Sequence, residues 1–198
     1  MSQRLPIAFF RRPTEQVARE LIGQRLRHGA VLLEITETEA YPPGDSASHA
    51  RFGRTLRNAP MWGAPGRAYV YLCYGMHHML NLVSERTGTP GAVLIRACAP
   101  LEGLEVVHAR RGKQRGVALL AGPGRVAQAL GITRAFDGER VCSAGGLEVW
   151  SGEEPAQLLH GARVGIDYAL PEDVRAPLRF GLAHSPWLSL PKRLRPLP

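Results

Sequence analysis

The spacing of apolar and polar residues changes period several times along the chain. Thr14, after Pro13, opens a helical pattern with Val17, Ala18, Leu21 and Ile22 on one face and Gly23 as its stop. From residue 30 the period falls to two, which predicts a strand over 30–41. Strand side chains alternate faces, so Leu33, Ile35, Glu37, Glu39 and Tyr41 are expected on one face. That row begins apolar and finishes with two carboxylates and an aromatic ring. A solvated strand carries its charges opposite its apolar residues. Here the acids extend the core-facing row, which puts at least one of them at the lip of a pocket, where a carboxylate can be held for chemistry.

Residues 42–67 contain Pro42, Pro43, Gly44, Gly53, Pro60, Gly63, Pro65 and Gly66, too many breakers for regular structure. A loop of about 25 residues in a compact domain is usually functional or disordered. This one carries His49, Arg51, Arg54, Arg57, Asn58, Met61 and Trp62, and is read as functional. Residues 68–74 are strand-like and broken by Gly75. A further strand covers about 79–85, and the turn at 87–91 leads into a strand at 92–98, the pattern of a hairpin. Residues 101–111 and 117–130 have helical spacing, the second interrupted by Gly122-Pro123-Gly124. Beyond them short strands and loops alternate, ending in a Pro-rich stretch at 186–198. Neither a repeat nor a low-complexity linker is present. Strands without regular βαβ alternation predict an α+β fold. The expectation is one domain over residues 1–198, with a mixed, mainly antiparallel sheet, flanking helices and a protruding β-hairpin.

Several residues in this frame suggest chemistry. Tyr69, Tyr71 and Cys73 face one way in their strand and Val70, Leu72 and Tyr74 the other. Tyr74 ends the strand beside Gly75, so its ring can project from a turn. Core filling explains tyrosines in a strand, and stacking on nucleic-acid bases explains them equally. Arg96 interrupts the apolar run at 92–97 and needs an anionic partner, because an unpaired buried charge is expensive. Glu39 and Glu37 are both candidates, either as a structural ion pair or as a carboxylate oriented to hold a water. Gly122-Pro-Gly-Arg125 opens a helix and offers backbone N–H groups and an Arg to a phosphate. His77 and His78 are adjacent, so in a strand they diverge and make a poor metal pair; they are read as loop or surface residues. There is no nucleophile elbow and no zinc-deaminase pattern.

Charge narrows the partner. The 198 residues carry 25 basic and 17 acidic side chains, a formal charge of +8, and 23 of the basic residues are Arg. Such a balance points to a polyanion, for which Arg supplies bidentate phosphate contacts. Cys73, Cys98 and Cys142 are odd in number and lack metal-ligand spacing, which argues for a reducing compartment and against zinc. The N-terminus has no long apolar stretch, so no signal peptide or membrane span is expected. A soluble, intracellular protein follows, in the cytoplasm or nucleoid if bacterial.

Taken together, these segments resemble the alkyladenine (3-methyladenine) DNA glycosylase family. The matching stretches are Glu37-Thr-Glu-Ala-Tyr41, Ala47-Ser-His-Ala50, Thr55 to Asn58, Tyr69-Val-Tyr-Leu-Cys-Tyr-Gly-Met76, Asn81, Val93-Leu-Ile-Arg-Ala97, Gly122-Pro-Gly-Arg125, Pro177-Leu-Arg-Phe180 and Ser185-Pro-Trp187. They run in order over essentially the whole chain, which is far more specific than any single motif. The resemblance implies base-excision repair by a monofunctional enzyme. It would flip alkylated purines of the 3-methyladenine and 7-methylguanine type out of duplex DNA and hydrolyse the N-glycosidic bond, with hypoxanthine as a candidate neutral substrate. Carried over by position, Glu39 is the general base that activates water and Arg96 helps to place that water. Tyr41 stacks on one face of the flipped base, with His49 and Tyr71 on the other. Asn81 crowds the purine 2-position, and Tyr74 fills the gap left by the flipped nucleotide. Arg54, Arg57 and Arg125 are candidate contacts to the DNA backbone.

The same resemblance implies damaged double-stranded DNA as the partner of a monomeric protein, with no cofactor, no metal and no membrane. A purine alkylated at N3 or N7 already carries positive charge, so it leaves without the acid that sugar hydrolases usually need. Neutral lesions additionally need a proton or hydrogen bond at N7. Met79 stands where many relatives carry Cys, and His77-His78 where others have larger apolar or mixed residues. Two other readings use the same features: a non-catalytic nucleic-acid-binding module with stacked tyrosines, and a hydrolase of free nucleosides. The first gives no reason for Glu39 and Arg96 in apolar strands. The second gives none for Tyr74 or the Arg excess.

Overall fold

The computed structural model describes residues 3–197. Its helices are α1 (Ile7–Phe10), α2 (Thr14–Glu20), α3 (Leu104–Arg111), α4 (Pro123–Leu130) and α5 (Pro171–Arg175). Its strands are β1 (Arg25–His28), β2 (Val31–Tyr41), β3 (Ala68–Cys73), β4 (His77–Val83), β5 (Ala92–Glu102), β6 (Glu148–Trp150), β7 (Leu158–Gly161), β8 (Arg179–Leu182) and β9 (Arg195–Pro196). They form one sheet in the order β3-β4-β5-β2-β8-β7-β9, with β1 joining β2 to β6. Every one of these pairings is antiparallel. The α+β architecture expected from the pattern is therefore present. Among the described residues no helix is long and apolar enough to cross a membrane.

β2 is the spine of the sheet. It pairs with β5 along its length, and on its other edge with β1 over Val31–Glu34 and with β8 over Glu37–Glu39. Where those two partners part, the Thr36 hydroxyl donates to the Trp187 carbonyl at 2.6 Å. One face of the sheet packs on the helices. Val17 and Ala18 of α2, Val107 of α3, and Val126 and Leu130 of α4 share a single core cluster with Leu33, Ile35, Val93, Ile95 and Phe180. The opposite face carries a smaller cluster of Met61, Tyr69, Val83 and Ala92, and the candidate site lies there.

Strict alternation along β2 fails at one point, and this corrects the sequence-based assignment of faces. Ile35 pairs with Cys98 and Thr38 with Ile95, and all but Thr38 lie in the helix-side core. Thr38 shares that side, since its hydroxyl donates to Ala18 O in α2 at 2.8 Å. Positions three apart cannot share a face in a regular strand, so β2 and β5 both reset their alternation between these pairs, where the register is irregular. Leu33 and Ile35 therefore face the helices, and Glu37, Glu39 and Tyr41 face away from them. Arg96 is carried to that second face by the matching irregularity in β5.

The helix expected from Thr14 is present. Its first turn is capped from outside by Glu85, whose carboxylate accepts from Thr14 N at 2.6 Å and Thr14 Oγ1 at 2.8 Å. The hairpin of β4 and β5 forms as the turn at 87–91 predicts. β4 begins two residues earlier than expected, so His77 and His78 are strand residues rather than loop residues. β5 runs on to Glu102, and α3 starts only after Gly103, whose φ is +74°. A Cβ at Gly103 would lie 2.3 Å from Ala30 O, so the turn between β1 and β2 requires glycine here. The helical spacing at 117–130 resolves into a 3-10 turn at Gly116–Leu119 and α4.

Candidate active site

Two carboxylates and two guanidinium groups meet on the second face of the sheet. Glu37 accepts from Arg96 Nε at 3.0 Å, Arg179 Nη1 at 3.2 Å, Ser189 N at 2.5 Å and Ser189 Oγ at 2.8 Å. Glu39 accepts through Oε1 from Arg96 Nη1 at 3.2 Å and Val164 N at 2.8 Å. Its Oε2 accepts from the Tyr41 hydroxyl at 3.0 Å. Arg96 thus bridges both acids, resolving the choice the sequence left open. Burial pulls the Arg96 guanidinium's pKa down, but the Glu39 and then the Glu37 carboxylate outweigh it, and the net shift is upward. Arg179 shifts the other way, because burial is not fully offset by Glu37 and Arg96 lies nearby. Both glutamates have 0% of their surface exposed. The expectation of an acid at the lip of a pocket is therefore corrected: Glu39 lies behind Tyr41, sealed from solvent.

Above this network is a slot of about 40 Å³ lined by Tyr41, His49, Tyr69, Tyr71 and Asn81, with Ala47, Met61, Ala92 and Tyr168 around them. Four of the predicted base-contact residues, Tyr41, His49, Tyr71 and Asn81, are thus brought together. Tyr41 is held from two sides, by its hydrogen bond to Glu39 and by the Arg163 guanidinium 4.8 Å over its ring. Burial and then the Glu39 carboxylate push its phenol pKa well up, so it remains a donor to Glu39. The His49 and Tyr71 rings meet edge to face, with centroids 4.5 Å apart. His49 Nδ1 lies 2.8 Å from the Tyr69 hydroxyl. Burial, followed by Arg57 and Arg51, lowers the His49 pKa to about 4, so the imidazole is neutral at pH 7. Burial also pushes Tyr69 up to about 12. The Asn81 side chain is pinned by donation to Tyr69 O at 3.1 Å.

The remaining predicted residues lie around this centre. Tyr74 is 89% exposed at the tip of the β3–β4 hairpin. Tyr74 and Gly75 both have positive φ, +49° and +69°, and Met76 N donates to Cys73 O at 3.0 Å. This is the pattern of a type I′ turn, with tyrosine where glycine, asparagine or aspartate normally sits. Arg54 and Arg57 are exposed, and the Arg57 guanidinium lies 5.9 Å from the Tyr71 ring. Arg125 folds back, donating to Ala121 O at 3.0 Å. Pro123 has no N–H, and the N–H groups of Arg125 and Val126 both donate to Gly122 O at 3.0 Å, so this helix start is less open to phosphate than expected. Met79 is half-buried opposite Tyr71.

Sequence reasoning missed the support for this site. Arg163 is buried, paired through both terminal nitrogens with Asp45, and donates to Ala40 O at 2.9 Å. The next residue, Val164, supplies the N–H that binds Glu39. Arg179 and Ser189 complete the shell of Glu37. Arg179 stands inside the stretch Pro177-Leu-Arg-Phe180, where a charge beside a buried aromatic is a readable signal. Arg163 sits between short loop residues and carries no periodic signal.

Fold and site define a strongly basic α+β protein with an aromatic-lined slot next to a buried pair of glutamates. Comparison with known proteins gives this class its family. The sequence profile of methylpurine-DNA glycosylase matches residues 8–186. A DNA-3-methyladenine glycosylase of Arabidopsis thaliana is 50% identical over 196 residues, covering 98% of this chain and 77% of the relative. A candidate 3-methyladenine DNA glycosylase of Nitrosococcus oceani is 48% identical over 197 residues, covering 99% and 98%. Another, of Methanocella arvoryzae, is 47% identical over 191 residues, covering 93% and 95%. The chain belongs to the methylpurine-DNA glycosylase family.

Two measurements test this electrostatic layout. Glu37→Gln leaves Arg179 buried without a charge partner, and is expected to destabilise the fold by about 3–5 kcal/mol in chemical denaturation. A loss below about 1 kcal/mol would contradict the dependence on Glu37. His49 binds a proton near pH 6.5 when unfolded and only near pH 4 when folded. Its contribution to stability is therefore fully present above about pH 6.5 and lost as pH falls toward 4. Melting curves at pH 7, 5.5 and 4.5 should show wild type losing stability in acid faster than His49→Gln. Parallel pH profiles would refute this assignment.

Proposed function

We propose that this member of the family, a DNA glycosylase of base-excision repair and thus a hydrolase of N-glycosyl bonds, releases alkylated purines from duplex DNA with Glu39 as the general base. The observation that carries this reading is the bonding of Glu39. Arg96 and Val164 occupy Oε1, while Oε2 accepts only from the hydroxyl of Tyr41, a slot-lining residue, and keeps acceptor capacity for a water. A water accepted there stands behind a sugar whose base lies in the slot. Arg96, fixed between the two acids, orients the carboxylate.

The chemistry follows from the charge of the leaving group. A 3- or 7-alkylated purine departs as a neutral base, leaving a cationic sugar that the Glu39 carboxylate stabilises and the activated water attacks. Tyr41 on one side and His49 with Tyr71 on the other supply ring faces that attract an electron-poor base. The neutral imidazole of His49 adds no repulsion to a cationic purine. Asn81, held rigidly at the slot, crowds the purine 2-position and disfavours guanine. The enzyme acts as a monomer, without metal or cofactor, and a neutral lesion such as hypoxanthine would be a substrate only with a hydrogen-bond donor at its N7.

Tyr74 fits the role of wedge. A non-glycine residue at positive φ costs roughly 1–2 kcal/mol, and such strain concentrates at functional positions. An exposed ring at a strained turn has no packing reason to be there; insertion into the duplex gap gives it one. Arg57, beside the Tyr71 ring, and the exposed Arg54 suit phosphate contacts, with Arg125 a weaker third.

Glu39→Gln is expected to cut single-turnover excision of 7-methylguanine by about 10²–10⁴-fold while duplex binding persists. Excision at the wild-type rate would move the base role elsewhere, Glu37 being next. Tyr74→Gly should melt at or above the wild-type temperature yet excise about ten- to a hundred-fold more slowly, because flipping loses part of its few kcal/mol of support. A variant both less stable and fully active would reject the wedge.

A further inference from the structure

The slot's free volume of about 40 Å³ is small beside the roughly 300 Å³ and more of small-molecule pockets, so the walls that line it govern what enters. Tyr41 is fixed by Glu39 and Arg163, Tyr69 is 1% exposed, and Asn81 is buried and pinned to Tyr69 O. Tyr71 and His49 brace each other edge to face.

Tyr168 differs from all of these. It lines the same slot but is 59% exposed. Its hydroxyl donates to Ala47 O at 2.8 Å and lies within hydrogen-bonding reach of the Arg51 side chain. Its ring is covered by the Arg51 guanidinium at 4.9 Å, and the same guanidinium lies 4.6 Å over the exposed Phe52 ring. Both holds are of the weak kind found at exposed sites. Tyr168 follows the Arg163–Val164 segment that binds Glu39, so the rigid and movable sides of the slot come from one stretch of chain.

We propose that Tyr168 is the moving wall of the slot, latched by Ala47 and Arg51, and that its ring sets the largest base the slot admits. The proposal rests on the glycosylase reading above. The ring swings outward as the base arrives and returns against its edge. A compact alkylpurine is tolerated, and a base enlarged by an extra fused ring is penalised. Arg51 links this wall to the DNA-facing loop, so a backbone phosphate drawn to Arg51 loosens the latch when the duplex docks.

The test compares excision of 7-methylguanine and of 1,N6-ethenoadenine from otherwise identical duplexes in single turnover. The ratio of the two rates cancels effects on duplex affinity. Tyr168→Ala is expected to raise the ratio in favour of ethenoadenine by roughly tenfold or more, the scale of pocket-size discrimination. Arg51→Ala should shift it in the same direction. Tyr168→Phe keeps the ring and should leave it within about threefold of wild type. An unchanged ratio in Tyr168→Ala, or a rise in Tyr168→Phe as large as in Tyr168→Ala, would overturn the proposal. Should Tyr168→Ala melt far below wild type, Tyr168→Leu shortens the wall while keeping an apolar cover and is read the same way. Titration of free ethenoadenine, followed by its fluorescence, reads the wall without catalysis and should show tighter binding to Tyr168→Ala. A wild type inactive on every duplex would reject the glycosylase reading, and the titration would still decide the role of Tyr168.

Discussion

Six charges are buried on one face of this sheet, and they balance. Glu37, Glu39 and Asp45 face Arg96, Arg163 and Arg179. Desolvating an ion costs several kcal/mol unless partners and hydrogen bonds offset it, so no member of this set tolerates removal alone. The fold is arranged around that requirement. The paired irregularity in β2 and β5 turns Glu37 and Arg96 to the same face, and β8 brings Arg179 alongside. The segment after β7 adds Arg163, and the one after β8 adds Ser189. Residues far apart in sequence meet here because β5 and β8 each deliver an arginine beside β2, and loops supply Asp45 and Arg163.

The slot above inverts the electrostatics of the surface. The chain carries a formal +8 and its Arg-rich exterior suits a polyanion. The lining offers phenols, an amide and an imidazole whose pKa of about 4 leaves it uncharged. Long-range attraction and local recognition are therefore separated. The exterior suits a phosphate backbone, and the interior presents polarisable, uncharged faces suited to an electron-poor base. A protonated His49 would erase that separation, and its burial between two arginines prevents it at neutral pH.

Much of this was legible from residue pattern alone. A charged residue inside an apolar strand is costly enough to announce itself, and Arg96 with its acidic partners was found that way. Tyr41, His49, Tyr71 and Asn81 were collected by resemblance, and the slot unites them. The route to the acids was wrong in one step. Alternation placed Glu37 and Glu39 on the face of Ile35, but coordinated bulges in neighbouring strands leave no mark on either sequence. Arg163 and Asp45 escaped for another reason: their pairing spans 118 residues and joins loops, where no periodicity exists to read. Arg125 looked available because an N-terminal helix motif says nothing about where its own side chain folds.

Why two acids share one arginine follows from the shape of a guanidinium. Arg96 gives Nε to Glu37, Nη1 to Glu39 and Nη2 to Ser189 Oγ at 3.1 Å, using three edges of one plane. A lysine ammonium carries the same charge but no fixed fork, and could not set the angle between the carboxylates. Without Glu37, the plane of Arg96 would be free to rotate about its contact with Glu39. Arg179 and the Ser189 backbone lock Glu37 in turn, so rigidity passes inward from β8 through Glu37 and Arg96 to the Glu39 carboxylate. Glu37 thus bears on Glu39 through orientation, by way of Arg96. Its four hydrogen bonds, against three on Glu39, are the feature that separates the two acids.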